Sequence, residues 1–381
     1  MDSEKKRVAI VLKFSLSFGG GGEHWIKKVA QYLTQNGYHI TFFIPDIYKN
    51  EKNDDKFEVK YYYSRTVRIF SKLNLLNFAW PFIFFNIEEK DYDIVYIPSI
   101  YAIRFIFSFR GKILLGTHDY YLPNSIISRD IFLIFPKAII KVLNRGNVFV
   151  HAINKVIYEE LKKYTQQIIL AGTFPFNIPE NLRFDEGEKF QILFMNALNK
   201  RKGADLLPAI VKKLNSFGLG NIQFVIIGRI QGKNKSLTSF LSHLPENTKY
   251  LGFVSEEVKE MELSRSSLFL FLSSREAAAP LSLMEALSYG IPVVSVWKPL
   301  LRLIPEYYFH KKICVQTDRS YDFIADKVLE FYYKWQSNKS LYKQFKHDIS
   351  YLSINVFDQA KLLDTTLKMF ETLISNGSTK L

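Results

Sequence analysis

Over residues 7–44 a short apolar run, a loop ending in four glycines, a helical repeat and a second apolar run follow one another. Residues 7–12 (RVAIVL) have the length and composition of a buried strand. From Glu23 onward Trp25, Val29, Tyr32 and Leu33 recur on one side and Lys27, Lys28 and Gln31 on the other, until Asn36-Gly37 stops the helix. Residues 39–44 (HITFFI) then read as a second strand, completing a βαβ unit. The same order returns in the second half: a strand at 191–195, a cation-rich loop at 196–203 (NALNKRKG), a helix at 204–217 and a strand at 223–227 closed by Gly228-Arg229. Further strands are expected at 93–97, 112–115, 148–152, 168–170, 268–272 and 291–296. Helices are expected at 155–164, near 256–264, and at 281–289, 321–336, 339–352 and 358–375.

A chain of 381 residues is long for a single core. The repeat therefore implies two α/β domains, residues 1–179 and 190–355, joined through a proline-containing loop at 171–179 and a polar stretch at 180–189. A helix and tail occupy 356–381. The expected architecture is two Rossmann-like domains facing each other across a cleft, with the C-terminal helix packing back on the first.

Composition narrows the setting. The lone Cys314 rules out a disulfide within the chain, which suits a reducing, cytoplasmic compartment. The N-terminus lacks the apolar core of a signal peptide, and the longest apolar-aromatic run, 75–85, is broken by Asn77 and Pro81 and is too short to span a bilayer. The net charge of +14 favours anionic partners. Residues 1–185 carry 25 basic and 18 acidic side chains and the remainder 26 and 19, so no single tail accounts for it. No zinc-type spacing or nucleic-acid motif is present and no DxD-like metal motif is placed in a credible loop, so neither a metal nor a nucleic-acid partner is expected.

The chemistry concentrates in residues 273–294 (SSREAAAPLSLMEALSYGIPVV). Two carboxylates, Glu276 and Glu285, flank three small residues centred on Ala278, with Pro280 and Leu281 at a helix start and Gly290 at its end. Small side chains admit a ligand close to the backbone, and free N–H groups of a first helical turn suit an anion. Carboxylates nearby suit hydroxyls. Phosphate and hydroxyls together suggest a nucleotide sugar. In the first half, Gly21 and Gly22 offer a loop that approaches phosphate, and His118 follows a strand's carboxyl end, where open α/β sheets bind ligands.

These landmarks resemble the retaining glycosyltransferases of family 4, within glycosyltransferase group 1, which have the GT-B fold. Gly21-Gly22-Glu23 with Asn36-Gly37-Tyr38 is similar to the family's opening GG-x-E…G-H pattern. Lys202-Gly203 resembles its KG, Gly228 its glycine after the next strand, and Leu251-Gly252-Phe253-Val254 its LGxV. Glu276…Glu285-Ala286…Gly290-Ile291-Pro292-Val293-Val294 resembles its E-x7-E and the EA-x(3)-G-x-PVV that follows. Two departures stand out. Eight residues rather than seven separate the glutamates, and Ala197 replaces the usual arginine five residues before Lys202, so that Lys200 or Arg201 would supply that cation.

The resemblance implies that Glu285 binds the donor's ribose hydroxyls, Glu276 contacts the transferred sugar, and Lys202 with Arg201 neutralises the leaving diphosphate. His118 would lie near the sugar, and Gly228, Arg229 and Phe253 near base or phosphate. The implied donor is UDP- or GDP-linked, with no cofactor and no metal. The acceptor, a glycan or lipid-linked molecule, falls to the first domain. There, residues 59–86 hold four basic and no acidic side chains among many aromatics, and residues 98–145 hold seven basic and two acidic. Such surfaces suit peripheral contact with an anionic membrane face, whereas burial of the aromatics with a solvated cationic face is the plainer alternative. Two further functions stay open: a non-catalytic sugar-nucleotide-binding partner subunit with a degenerate site, and a Rossmann-type oxidoreductase, against which the absence of GxGxxG counts.

Overall fold

The computed structural model describes the chain apart from residues 1–5, 17–20, 52–55, 73–86, 101, 103–104, 107–108, 119–135, 174–177, 179–187, 233, 275, 277–279, 299, 301–303 and 376–381. It comprises two compact units, Met1–Thr173 with Ala360–Leu381, and Phe174–Gln359.

The first unit is built on seven parallel strands: β1 (Arg7–Val11), β2 (His39–Pro45), β3 (Glu58–Tyr62), β4 (Ile94–Ile97), β5 (Ile113–Gly116), β6 (Val148–Ala152) and β7 (Ile168–Leu170). Their order in the sheet is β3-β2-β1-β4-β5-β6-β7. Helices α1 (Gly21–Gln35), α2 (Arg65–Lys72), α3 (Pro136–Leu143) and α4 (Lys155–Leu161) connect them. The central strands β1, β4 and β5 are buried almost throughout, as continuous apolar runs in a parallel sheet require. β3 is an edge strand inside the stretch read from sequence as a basic, aromatic surface. Its Lys60 donates to the Tyr92 hydroxyl at 3.1 Å, and Arg68 of α2 pairs with Asp46 at 2.6 Å. Part of that cationic set therefore serves the fold, while Phe78, Trp80 and residues 82–85 lie outside the described residues.

The second unit repeats the plan with six parallel strands: β8 (Phe190–Met195), β9 (Ile222–Ile227), β10 (Thr248–Gly252), β11 (Leu268–Phe271), β12 (Val293–Ser295) and β13 (Cys314–Gln316). They lie in the order β10-β9-β8-β11-β12-β13. Its helices are α5 (Leu207–Asn215), α6 (Lys235–Ser242), α7 (Glu256–Arg265), α8 (Leu281–Ser288), α9 (Tyr307–His310), α10 (Tyr321–Ser337) and α11 (Lys339–Val356). The helix expected over 204–217 opens instead as a 3₁₀ turn at Ala204–Leu206, and the α-helix begins at Leu207 with Pro208 in its first turn, where the missing N–H is no loss. β12 is shorter than the expected 291–296, since Pro292 has no N–H to give the ladder. Phe190, Phe194 and Phe224 pack with Tyr332 and Trp335 of α10 in one continuous core.

The last helix, α12 (Gln359–Ser375), returns to the first unit, where Lys112 beside β5 donates to the carbonyls of Leu373 at 2.6 Å and Ile374 at 3.1 Å. These carbonyls end a helix and lack intrahelical partners, which a cation satisfies. Phe370 meets Tyr96 of β4 edge-on. Among the described residues no helix is long and apolar enough to cross a membrane.

Candidate active site

In each sheet the strand order reverses direction beside one strand, β1 in the first and β8 in the second. At such switch points the loops after neighbouring strands part and leave a crevice at the carboxyl ends. In the second unit the two loops that part are 196–203, after β8, and 272–280, after β11. They carry Arg201, Lys202 and Glu276.

The geometry of the first loop is fixed locally. Asn199 accepts the Lys202 backbone N–H on its side chain at 2.9 Å, and Arg319 donates to the Lys200 carbonyl at 3.1 Å and to Asp205 at 2.9 Å. Gly203 has φ of 81°, and a Cβ there would stand 2.2 Å from the Leu272 carbonyl oxygen. Only glycine lets the two loops approach this closely. The Arg201 carbonyl accepts from the Ser274 N–H at 2.9 Å and from its hydroxyl at 3.0 Å.

Glu276 lies between these loops and is buried. Its Oε1 accepts from Lys202 Nζ at 2.5 Å and from the Ser273 hydroxyl, and its Oε2 lies 3.4 Å from Arg201 Nη1. Burial alone would raise the carboxyl pKa, but Lys202 and Arg201 outweigh it and hold it below the ordinary carboxylate range. Burial, and then Arg201, act in the other direction on Lys202 and lower its pKa against the pull of Glu276. Of the two cations proposed to replace the arginine at 197, Arg201 joins this cluster, whereas Lys200 is exposed.

Glu285 is on α8 and is 3% exposed. Pro280 is the residue before that helix rather than its first turn, with ψ of 129°, and Leu281 begins it. The helix ends as anticipated at Gly290. The Ile291 N–H bonds the Ala286 carbonyl and the Gly290 N–H the Leu287 carbonyl, both at 2.9 Å, with Gly290 at φ of 70°. The partner of Glu285 is not among the residues read from the sequence as site residues. Lys259, on α7, reaches Glu285 at 3.0 Å and Glu256 at 2.6 Å. Burial opposes its charge, but the two carboxylates outweigh it and raise the ammonium pKa. Ala278 lies outside the described residues.

Gly228 follows β9 with φ of 142°, and a Cβ there would stand 1.9 Å from the Asn196 carbonyl oxygen, so the backbone turns hard against the cationic loop. The Arg229 guanidinium stacks 4.0 Å from the Phe253 ring centroid, and Phe253 is 55% exposed. Together they form a flat, cationic and aromatic shelf at the carboxyl ends of β9 and β10.

In the first unit, Gly21 and Gly22 open α1, and a Cβ at Gly22 would meet no atom within 4 Å. His118, two residues past β5, is partly exposed and packs against Trp25 of α1, ring centroids 4.8 Å apart. Its Nε2 is 2.8 Å from the Tyr96 hydroxyl, which is 3.3 Å from Nδ1 of the fully buried His151. Burial, and for His118 also the neighbouring His151, pushes the pKa down to about 3 for His118 and about 4 for His151.

Comparison with known proteins bears on this arrangement. Residues 177–348 match the family model for glycosyl transferases group 1. The second unit therefore carries a glycosyltransferase group 1 domain. No curated protein sequence matches the chain. Among solved structures the fold is similar to the Anabaena protein Alr3699/HepE in complex with UDP, with TM-score 0.69 and 13% identity over 96% of this chain and 100% of that one. It is also similar to WaaG, a glycosyltransferase involved in lipopolysaccharide biosynthesis (TM-score 0.66, 13% identity, 95% and 99% of the two chains). A glycosyltransferase from Rickettsia africae gives TM-score 0.64 and 16% identity over 98% and 100%. The architecture is thus the two-sheet α/β fold of GT-B glycosyltransferases.

Proposed function

We propose that the protein is a retaining, metal-independent glycosyltransferase of the family 4 type, moving a hexose from a UDP- or GDP-linked donor to a glycan or lipid-linked acceptor. The observation that carries this reading is the pairing of Lys202 and Arg201 with Glu276 at the switch point of the second sheet, inside the segment that matches the group 1 model. A diphosphate is a stronger anion than one carboxylate. On binding it takes the two cations and frees Glu276 to accept from hydroxyls of the transferred sugar. Glu285, paired with Lys259, accepts from the ribose hydroxyls, and the Arg229–Phe253 shelf lies under the base. As the bond from the anomeric carbon to the phosphate oxygen breaks, Lys202 and Arg201 meet the charge growing on the diphosphate, which is the work a metal would otherwise do. The acceptor oxygen bonds the anomeric carbon from the same face, and its proton passes to the departing phosphate.

The protein acts in the cytoplasm, at an anionic membrane face. Support comes from α2, where Arg65, Arg68 and Lys72 are exposed beside Ile69 and the 65% exposed Tyr63. A second reading, a partner subunit that binds nucleotide without turnover, is favoured by the engagement of both Glu276 oxygens and by Ala197. One experiment separates the two: a thermal-shift screen against UDP, GDP and their sugars, followed by transfer assays with and without EDTA. Stabilisation by one nucleotide series with EDTA-insensitive transfer supports the enzyme. Stabilisation without turnover on any sugar supports the partner subunit, and no stabilisation by any nucleotide overturns both.

A further inference from the structure

The cluster behind His118 is more specific than a buried aromatic packing requires. Four side chains from four elements meet there: Trp25 of α1, Tyr96 of β4, His118 after β5 and His151 of β6. The polar atoms among them form a line. His151 Nε2 lies 2.7 Å from the Ala171 carbonyl oxygen, which only accepts. Nε2 of His151 must therefore carry the proton. The ring is wholly buried and neutral, so its Nδ1 holds a lone pair, 3.3 Å from the Tyr96 hydroxyl. If Tyr96 gave its single proton to His118 instead, the hydroxyl oxygen would face that Nδ1 lone pair to lone pair. With the proton directed to His151, both contacts become hydrogen bonds, and the 2.8 Å contact to His118 must be donated by His118 Nε2–H.

We propose that Tyr96 and His151 are positioning residues that lock His118 in the Nε2–H tautomer, so that its Nδ1 is held as a hydrogen-bond acceptor for a hydroxyl of a ligand bound at the carboxyl end of the first sheet. The backbone carbonyl of Ala171 is the origin of the lock, and the tautomer is passed through two side chains. A histidine fixed this way accepts from a hydroxyl and has no Nδ1 proton to give, which selects a donor hydroxyl at that point and rejects an acceptor such as a carbonyl or phosphate oxygen. Gly116 is part of the device. A Cβ there would stand 2.5 Å from the Tyr96 hydroxyl oxygen and 2.9 Å from the His118 ring, so any side chain would break the line. The role of the acceptor rests on the glycosyltransferase reading; the tautomer does not.

The test is long-range ¹H–¹⁵N correlation spectroscopy of the full chain labelled at histidine nitrogen, with the seven histidines of the sequence resolved by His118→Gln and His151→Gln. At neutral pH, His118 is expected to show a pyridine-type Nδ1 and a pyrrole-type Nε2. A pyrrole-type Nδ1, or an imidazolium, in the unsubstituted protein overturns the proposal without recourse to any variant. Tyr96→Phe is expected to release the lock and give a mixed tautomer at His118, and an unchanged signature in that variant overturns the relay. A calorimetric titration of UDP into the same sample keeps the two readings apart. Absence of nucleotide binding there counts against the glycosyltransferase and leaves the tautomer result standing.

Discussion

At the scale of single residues, two buried carboxylates of the second unit each have cations beside them: Glu276 has Lys202 and Arg201, and Glu285 has Lys259. Removing one partner of a buried pair strands the other's charge, which costs more than the pair contributes. Lys259→Met keeps the volume and removes the charge. It is expected to destabilise the protein by up to about 3 kcal/mol in denaturant titrations and to weaken UDP binding roughly tenfold, because Glu285 loses the ion-pair partner that positions it. Lys259→Arg should restore most of both; full UDP affinity in the methionine variant would separate Glu285 from the nucleotide. The histidine pair gives a pH dependence with a definite sign. Both folded pKa values, about 3 and about 4, lie below the unfolded value near 6.5, so the unfolded chain takes up protons first as pH falls. Their contribution is fully present above pH ~6.5 and drains away toward pH ~4, at up to about 1.4 kcal/mol per pH unit for each ring. Chemical denaturation from pH 7 to pH 4 should show this slope, and His151→Gln should flatten it.

At the scale of elements, the close contact of two loops depends on one backbone conformation. Gly203→Ala places a methyl against the Leu272 carbonyl in a left-handed conformation, a cost of about 1–3 kcal/mol before any displacement. Calorimetry should show Tm lowered by about 4–8 °C, with UDP affinity reduced because Lys202 moves with the turn. A variant matching the parent in both would mean the loop has slack. Helix α2 carries the membrane reading. Arg65→Glu with Lys72→Glu should weaken binding to phosphatidylserine vesicles by roughly tenfold or more, at about 1 kcal/mol per basic residue lost, and leave neutral vesicles unaffected. The central strands and the glycine stop of α8 were legible in the sequence, because strands covered on both faces read as unbroken apolar runs and Gly290 can serve as a left-handed stop. The edges were not. β3 alternates Glu58 and Lys60 with half-buried neighbours, β10 begins Thr248-Lys249, and β13 has three residues, so each lacks the apolar signature of the centre. Lys259 was illegible for a related reason: along α7 it looks like a solvated lysine, and only the tertiary fold brings Glu285 to it from 26 residues away.

At the scale of the whole molecule, the chain visits the first unit twice. Helix α12 belongs to it by contact although the second unit lies between them in sequence. Truncation after Gln359 should therefore lower amide-exchange protection in β4 and β5, where Phe370 and Leu373 meet Tyr96 and Lys112, and leave β8 through β11 as before. Uniform loss across both sheets would show that α12 serves more than its own unit. The same return has a consequence in time. At ~5–20 residues per second a ribosome needs roughly 10–40 s to make residues 174–359. During that interval the first sheet has been synthesised but its last helix has not, so Lys112 has no helix end to cap and Tyr96 no Phe370 beside it. The second unit, complete within one stretch of chain, is the part able to mature first, and the protein's N-terminal half is finished by its last residues.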